Sequence, residues 1–408
     1  MARPHYFIGL DVGSASVRFV VLERGDSGML LVAGISEQAL EGMRKGAVAS
    51  PEMVSRGIIK AALELKKQYG IEANHAVVSL GEPRMVGVAA KGAVSISRAD
   101  GEVTREDVAR VLENAEGALP RLGNREVLHQ FPLFYNVDHD TRLREVAGLV
   151  GAKLEVEALF VAAFSAHIKN LFRALELAGI MVDEMIASPY AASFHALSRK
   201  QKEVGCVLIT IGAQTSGVIV YEEGMPLSLE MLPVGSGHIT HDIGLGFQID
   251  QASAERVKKN LSSFLEQGKK EIRLSDFPKN FEESFSQRKL KDIVSARLGD
   301  IFELVAKHLK RIDRAELLPG GIILAGGGSK LFDIQQIARD ELHLPVEFAQ
   351  GAPGIGEHKE LIAGSEWMTA AGLARFAAEQ HQPSGRMSEL FSSSFSQRVK
   401  KVLRSLIP

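Results

Sequence analysis

A pattern of apolar runs broken by a polar insert covers residues 6–23, which read Tyr-Phe-Ile-Gly-Leu-Asp-Val-Gly-Ser-Ala-Ser-Val-Arg-Phe-Val-Val-Leu-Glu. Two apolar, β-branched runs flank the polar insert Gly13-Ser14-Ala15-Ser16, a pattern that predicts strand, tight turn, strand. The pattern returns at 207–223 as Val-Leu-Ile-Thr-Ile-Gly-Ala-Gln-Thr-Ser-Gly-Val-Ile-Val-Tyr-Glu-Glu. Gly13 aligns with Gly212 and Ser16 with Thr215, so the spacing predicts an internal duplication.

Elsewhere in the first half the period shifts between two and 3.6. A third strand is expected at 29–33, a helix at 54–69 with Ile58, Ile59, Ala62 and Leu65 apolar, and a short buried strand at 76–80. Strands alternating with helices predict an α/β fold around a wound sheet. From 83 to 156 the texture changes: strand at 86–96, a helix at 105–116 capped by Thr104 with Glu106 and Asp107 in its first turn, and extended segments at 126–137 and 153–161. This reads as a small α+β insertion. Helices follow at 165–177 and 191–198, with a strand at 180–186 leading into Ser188-Pro189-Tyr190.

After the second hairpin, 226–234 is strand-like and runs into Gly235-Ser236-Gly237, with helices at 239–247 and 251–261. The polar stretch 269–286 reads as a loop. Residues 290–312 form a long amphipathic helix, apolar at Val294, Leu298, Ile301, Val305, Leu309 and Ile312. A buried strand then runs into Gly326-Gly327-Gly328-Ser329 ahead of a helix, and 367–378 closes the globular part.

Residues 378–394 are rich in Gln, Ser, Pro and Gly, the composition of a flexible linker. Beyond it, Phe395, Val399, Val402, Leu403 and Leu406 share one helical face. Lys400, Lys401 and Arg404 lie opposite and Arg398 sits at the border. No acidic side chain follows Glu389. An interfacial helix drawn to anionic lipid has this composition; a helix docked on a partner and a solvated last helix are the alternatives.

Length and charge narrow the classes. At 408 residues the chain suits two to four domains, and a net charge of -2 gives no field that would draw nucleic acid. The single cysteine, Cys206, excludes an internal disulfide and sits in an apolar strand, a core position. The first residues lack a secretion-signal pattern, and no stretch reaches the roughly 20 apolar residues of a membrane span, so membrane association is expected to be peripheral.

The chemistry suggested by the two turns is anion binding. A glycine lets main-chain amides approach a ligand, successive amides make a concavity for an anion, and Ser14 and Ser16 add hydroxyls. Asp11 at the end of the first strand is placed to hold a metal ion through water. The bland alternative is an ordinary Gly-Ser turn. Two such hairpins facing one another would grip a phosphate chain from both sides. The triple glycine would lie flat against a planar or phosphate group, the following helix N-terminus offering free amides; a tight strand-to-helix turn is the other reading.

Taken in order, these segments resemble the actin/Hsp70/sugar-kinase superfamily, and over nearly the whole chain the sequence is similar to its FtsA family of bacterial cell-division proteins. Gly9-Leu-Asp-Val-Gly-Ser-Ala-Ser16 matches the first phosphate loop, Thr210-Ile-Gly-Ala-Gln-Thr-Ser-Gly217 the second, Gly321–Ser329 the adenosine motif and Ile186-Ala-Ser-Pro-Tyr190 the first connecting segment. The insertion, the segment Val234-Gly-Ser-Gly-His-Ile-Thr-His-Asp-Ile243 and the amphipathic C-terminus are the features specific to that family.

The resemblance implies a duplicated actin-like (ribonuclease H-like) α/β fold of two lobes with an inserted 1C (SHS2) subdomain. The implied limits are 1–82 and 157–203 for subdomain 1A, 83–156 for 1C, 204–237 and 313–378 for 2A, and 238–312 for 2B. The linker takes 379–394 and the membrane-targeting helix 395–408. It implies ATP binding by Asp11, Gly13, Ser14, Ala15 and Ser16 in the first lobe. In the second lobe it implies Gly212, Ala213, Gln214, Thr215, Gly235, Gly326, Gly327, Gly328 and Ser329, with Glu255 and Lys258 flanking ribose and base and Asp11 placing Mg²⁺. It also implies a peripheral protein at the division site, on the cytoplasmic face of the cytoplasmic membrane. Such a protein polymerises through 83–156, binds the acidic, apolar C-terminal tail of FtsZ on 238–312, and recruits later division proteins. Arg288, Lys289, Lys291 and Arg297 are candidates to pair with that tail, Arg297 foremost.

One departure bears on the chemistry. The superfamily's second phosphate loop usually reads Asp-Ile-Gly-Gly-Gly-Thr-x-Asp; here Thr210 and Gly217 replace the aspartates, and Ala213 and Gln214 replace two glycines. Mg²⁺ prefers hard carboxylate oxygens, and phosphoryl transfer depends on metal and positioning, so the expected turnover is at most that of a slow ATPase. Two other functions compete. A small-molecule kinase of the superfamily needs a carboxylate base near the loops, which the second loop lacks. A pilus-assembly protein of the PilM type shares the insertion, but the lipid-seeking tail speaks against it.

Overall fold

The computed structural model describes residues 5–138, 140–266, 271–272 and 285–381. The first lobe begins as an antiparallel meander, β1 (Tyr6–Val12), β2 (Ser16–Arg24) and β3 (Leu30–Ala39). A two-stranded ribbon, β4 (Met43–Arg44) and β5 (Ala47–Val48), leads into helix α1 (Pro51–Tyr69), and β6 (His75–Leu80) then joins β1 in parallel. The insertion follows as β7 (Val86–Ser95), α2 (Arg105–Gly117), β8 (Arg125–Val137), β9 (Asp140–Leu143) and β10 (Lys153–Phe164). Helix α3 (Ser165–Leu177) and β11 (Met181–Ala187) complete a five-stranded sheet ordered β11-β6-β1-β2-β3.

Helices α4 (Ser188–Ala196) and α5 (Arg199–Val204) cross to the second lobe. There β12 (Cys206–Ile211), β13 (Ser216–Glu222) and β14 (Met225–Leu232) repeat the meander. Then come α6 (Ser236–Phe247), α7 (Gln251–Glu266), the short pair β15 (Glu271–Ile272) and β16 (Phe285–Ser286), α8 (Gln287–Arg311), β17 (Ile322–Ala325), α9 (Ile334–Leu342) and β18 (Val346–Phe348). Helix α10 (Met368–Gln380) returns to the first lobe and packs on β1 and α4.

The second lobe's strands run β18-β17-β12-β13-β14, the order of the first sheet, with the same three antiparallel and two parallel members. The turns match as well. Val12 pairs with Val17 and Ile211 with Ser216, leaving four-residue loops of identical length. The Gly13 N–H donates to the Ser16 carbonyl at 3.0 Å, and the Gly212 N–H to the Thr215 carbonyl at 2.9 Å. The duplication read from the sequence is therefore structural.

Local rules account for the helices that carry the sheets. Ser50 caps α1 by accepting from the Met53 N–H at 3.4 Å, Pro51 takes the first turn, and Gly70 ends the helix at a φ of 71°. Val54, Ile58, Ala61 and Leu65 recur on its buried side. In α8 the expected apolar side is buried from Leu290 to Leu309, while Ile312 lies just past the helix end. One core runs from the first sheet beneath the lobe junction into Cys206, Leu208 and Ile219 of the second. Burial there pushes the Cys206 thiol up to about 12, as expected of a packing residue.

The α+β insertion read from the sequence is joined edge to edge with the second lobe. Its strands extend the second sheet, β14-β7-β10-β8-β9, through a pairing of Glu230 with Val86. It keeps its own core, Val108, Val111 and Leu112 of α2 against Leu154, Val156 and Phe160 of β10. Arg144 also forms an ion pair with Glu223 of the second lobe. Of the stretch 269–286 read as loop, the described parts pair as β15 and β16; the rest lies outside the described residues.

In β11, at the edge of the first sheet, Glu184 makes no side-chain hydrogen bond or ion pair among the described residues, and burial pushes its carboxyl up to about 8. The unfolded carboxyl ionises near its ordinary value, so between about pH 4.5 and 8 the folded chain holds the extra proton and stability falls as pH rises. Glu184→Gln is accordingly expected to raise the urea midpoint at pH 8 and leave it nearly unchanged at pH 5. An equal shift at both pH values would mean that the carboxyl does not titrate in this window.

Candidate functional site

The two hairpin loops are built alike and each ends a central strand. Among the described residues, the backbone amides of Ser14 and Ala15 in the first loop, and of Ala213, Gln214 and Thr215 in the second, donate to no protein acceptor. All but Ala15 are half-buried. Half-buried amides without acceptors are a site for an anion. In each loop a Cβ on the glycine would stand 2.9 Å from the carbonyl that closes the turn, so the loop shape requires glycine at 13 and 212.

A row of charged residues crosses the first sheet beside its loop, because β1 pairs Asp11 with Arg18 and β3 pairs Glu37 with Arg18. The Arg18 guanidinium lies 2.6 Å from Glu37 and over the Trp367 ring, 5.7 Å from its centroid. Asp11 accepts from the Ser79 hydroxyl at 2.7 Å. Burial pushes its carboxyl up, while Arg18 and the Ser79 hydroxyl pull it back. Arg18 was not among the sequence candidates. The hairpin register contains it: a four-residue loop closed by Val12 and Val17 places residue 18 across from residue 11.

The matching row in the second lobe is Thr210, Gly217 and Met231. The Thr210 hydroxyl donates to the Gly217 carbonyl at 3.3 Å. A Cβ at Gly217 would stand 2.4 Å from Cγ of Pro189 and 2.7 Å from the Thr210 Oγ1, so the proline ring occupies the room a carboxylate would need. Among the described residues no three His, Cys, Asp or Glu side chains gather to hold a metal. The loops thus fit a phosphate chain, whereas the side chains supply Mg²⁺ with one carboxylate, Asp11, already beside a guanidinium.

The remaining candidates fall into three groups. Gln214 faces the first lobe: its Oε1 accepts from the Lys45 N–H at the tip of the β4–β5 ribbon, tying the second loop to the opposite lobe. Gly235 lies against the same loop, and its N–H is taken by Nδ1 of His238 at 3.1 Å; the Ser236 and Gly237 amides donate to the carbonyls of Gly212 and Ala213. These residues shape the loop from behind. Glu255 and Lys258 pair at 2.7 Å and share the Thr240 hydroxyl, at 2.5 and 2.9 Å, in a network between α6 and α7.

The glycine run departs from expectation. Gly327–Lys330 forms a single 3-10 turn, and α9 begins only at Ile334, so no α-helix starts at the glycines. Gly326 has a φ of 84°, and a Cβ there would stand 2.5 Å from the Ile211 carbonyl oxygen. Gly328 is equally tight against the Ile211 side chain, while Gly327 is exposed with nothing near its missing Cβ. Ser329 donates to the Gly326 carbonyl at 2.8 Å and bonds Ser365 at 3.0 Å, and Lys330 pairs with Glu366 at 2.7 Å. The run is therefore locked to the strand that precedes the second loop, with Gly327 as its open position.

Of the candidate partner-binding cations, Arg297 is engaged: it grips Asp242 through two bonds of 2.7 and 3.1 Å and also contacts Asp300 at 3.0 Å. Lys289 bonds the Gly246 carbonyl at 2.5 Å over the Phe247 ring, and Lys291 lies over Phe332. Arg288 is exposed. The membrane-binding candidates Phe395 to Leu406 lie outside the described residues.

One cluster elsewhere has the order of a hydrolytic triad: Ser228 Oγ 2.9 Å from His308 Nε2, and His308 Nδ1 2.5 Å from Glu230. Ser228 and His308 are both buried, so the cluster binds α8 to β14 and offers no nucleophile.

Two family models match this chain. Residues 207–372 match "Cell division protein FtsA" and residues 84–162 match "SHS2 domain inserted in FTSA", between them more than half of the sequence. The chain belongs to the FtsA family. It is 28% identical to the cell division protein FtsA of Bacillus subtilis (strain 168) over 391 residues, covering 95% of this chain and 86% of that one. Against FtsA of Escherichia coli (strain K12) it is 25% identical over 387 residues, 92% of this chain and 90% of that one.

Solved structures share the actin-like fold. The PilM–PilN type IV pilus biogenesis complex matches with a TM-score of 0.66 at 18% identity, over 91% of this chain and 98% of the other. MreB5 of Spiroplasma citri bound to AMPPNP matches with a TM-score of 0.51 at 15% identity, over the whole of both chains. Among the described residues no helix is long and apolar enough to cross a membrane.

Proposed function

We propose that this chain is an ATP-binding, actin-like adaptor of cell division that anchors the FtsZ ring to the cytoplasmic face of the cytoplasmic membrane. In this reading it polymerises through the 83–156 insertion and recruits later division proteins. It receives the FtsZ tail on 238–312 and holds the membrane through the amphipathic helix 395–408. The subdomain limits given above belong to the same proposal.

The observation that carries nucleotide binding is the matched pair of loops, each with half-buried amides that lack an acceptor. Ser14, Ala15, Ala213 and Thr215 would meet the phosphates, Gly327 the open wall, and Arg18 would supply a fixed counter-charge. Glu255 and Lys258 would meet the ribose and base after exchanging part of their present network. ATP brings the phosphate charge that these donors suit, and Mg²⁺ would be held through Asp11. With Thr210 and Gly217 in place of acids, hydrolysis is slow at most. For the FtsZ tail, Arg288 is the more available cation, since an incoming carboxylate must displace Asp242 to reach Arg297 and the Gly246 carbonyl to take Lys289. The pilus-assembly reading is not favoured, because both matching family models are those of FtsA.

Flotation with anionic vesicles tests the tether. Full-length chain is expected to float and a chain ending at Ser394 to stay in the lower fraction; equal flotation of both contradicts the reading.

A further inference from the structure

The outer face of α1 carries a stripe of cations that form no ion pair among the described residues and that none of the contacts described above uses. Arg56, Ile59, Lys60, Leu63 and Lys67 follow one another at helical spacing, and all five are exposed. Leu63 is 60% exposed and Ile59 37%, although the opposite side of the helix is fully packed. Among the described residues Arg56, Lys60 and Lys67 form no ion pair, whereas the neighbouring Lys66 is paired with Glu72 at 2.6 Å. Helix α3 lies beside α1 and adds Lys169, also exposed and unpaired. Isolated exposed leucines are ordinary; an exposed apolar pair set among four unpaired cations on adjacent helices is the pattern of a surface that meets anionic lipid.

The end of the described chain points to the same occupant. His381, after α10, stacks near His5 and Phe7 at 5.0 and 5.7 Å, at the start of β1. The last residue of α1, Tyr69, lies against Gly34, in the strand row Ile8–Val21–Gly34 at that same end of the sheet. Residues 382–394 separate His381 from Phe395, a length able to span at most about 45 Å, ample to bring the tail helix round to the α1 side.

We infer that the α1 face of the first lobe is a second membrane contact, laid against anionic headgroups by Arg56, Lys60, Lys67 and Lys169 with Leu63 at its centre. It rests on the reading of 395–408 as the tether and gives that tether an orientation: the body lies on the bilayer by its first lobe. Two weak contacts on one chain act together, the tail raising the local concentration of the basic face at the surface.

The test uses full-length chain carrying Lys60→Glu, Leu63→Gln and Lys67→Glu, with Lys60→Ala/Lys67→Ala as a milder variant. Binding is measured on phosphatidylglycerol–phosphatidylcholine vesicles and on phosphatidylcholine alone, at low and physiological salt. The triple variant is expected to lose about tenfold or more in affinity for the anionic vesicles, with a shallower salt dependence, and the milder variant to lose less. Unchanged melting will show that the exposed substitutions leave the fold intact. Unchanged affinity and salt dependence in both variants would overturn the inference and leave the stripe to an acidic protein partner. Absence of vesicle binding by the unmodified chain would overturn it as well. Failure of the tail reading is separate, seen as equal flotation of the chain ending at Ser394.

Discussion

Glu82→Ala is expected to lower the unfolding free energy by about 3–5 kcal/mol, the range for removing one partner of a buried charged hydrogen-bond network. Glu82 is fully buried where the chain leaves the first lobe for the insertion. Its two oxygens accept from the Phe164 N–H at 3.1 Å and the Arg84 N–H at 2.9 Å, and it meets His167 Nδ1 at 2.9 Å. Arg84 begins the outward crossing and Phe164 ends the return, so one carboxylate fixes both stems. Truncation leaves two part-buried backbone amides without their acceptor and His167 without its partner. Glu82→Gln keeps an acceptor at only one stem, since its amide NH2 cannot accept from the other N–H, and is expected to cost less than the alanine variant, about 1–3 kcal/mol. Urea unfolding of both variants checks this; a loss below about 1 kcal/mol for the alanine variant would show that water replaces the carboxylate.

The second large effect is expected at Gly326. A side chain there meets two costs: the φ of 84°, and a Cβ 2.5 Å from the Ile211 carbonyl oxygen. Ile211 is the last residue of β12 and pairs with Ser216 to close the second loop. Gly326→Ala should therefore cost about 1–3 kcal/mol of stability and, by moving Ile211, weaken ATP binding by at least about tenfold. Gly327→Ala separates the two effects. Its Cβ enters open space, so stability should hold while ATP binding falls if the nucleotide rests on that wall. Equal ATP affinity in Gly327→Ala and the unmodified chain would move the nucleotide away from the glycine run.

What the sequence made legible, and what it hid, follows from the range of the interactions. The hairpins at 6–23 and 207–223 were readable because alternation, turn glycines and their repetition are all local. So were α1 and α8, whose buried positions recur at 3.6. Strand β3 runs to Ala39, well past the expected 33, because polar Ser36 and Glu37 disguise it. In the fold Ser36 is buried and bonds the Ala61 carbonyl at 2.9 Å, and Glu37 pairs with Arg18. Each is satisfied by a partner that only the tertiary structure brings near.

The same limit governs the site. The loss of acids at Thr210 and Gly217 could be read directly, but the ring of Pro189 against Gly217 could not. The resemblance named Arg297 foremost among the cations for a partner; Asp242, 55 positions away, pairs with it in the fold. The resemblance named Gln214 among the nucleotide-binding residues, and its side-chain carbonyl accepts from the Lys45 N–H at the ribbon tip. The β14–β7 pairing that merges the insertion with the second sheet rests on Glu230 and Val86, which have no shared local signature.

The proposed nucleotide clamp has two matched loops and one carboxylate, Asp11, left to place a metal. Its most direct measurement is the affinity of labelled ATP with Mg²⁺ and with EDTA, for the unmodified chain and Asp11→Ala, together with phosphate release. EDTA is expected to weaken binding to the unmodified chain by no more than about tenfold, since the proposed amide donors and Arg18 would hold the phosphates without a metal. Asp11→Ala is expected to bind ATP equally with and without Mg²⁺, and phosphate release to be slow in both. Binding that requires Mg²⁺ and survives Asp11→Ala, or brisk Mg²⁺-dependent turnover, would contradict the proposed clamp.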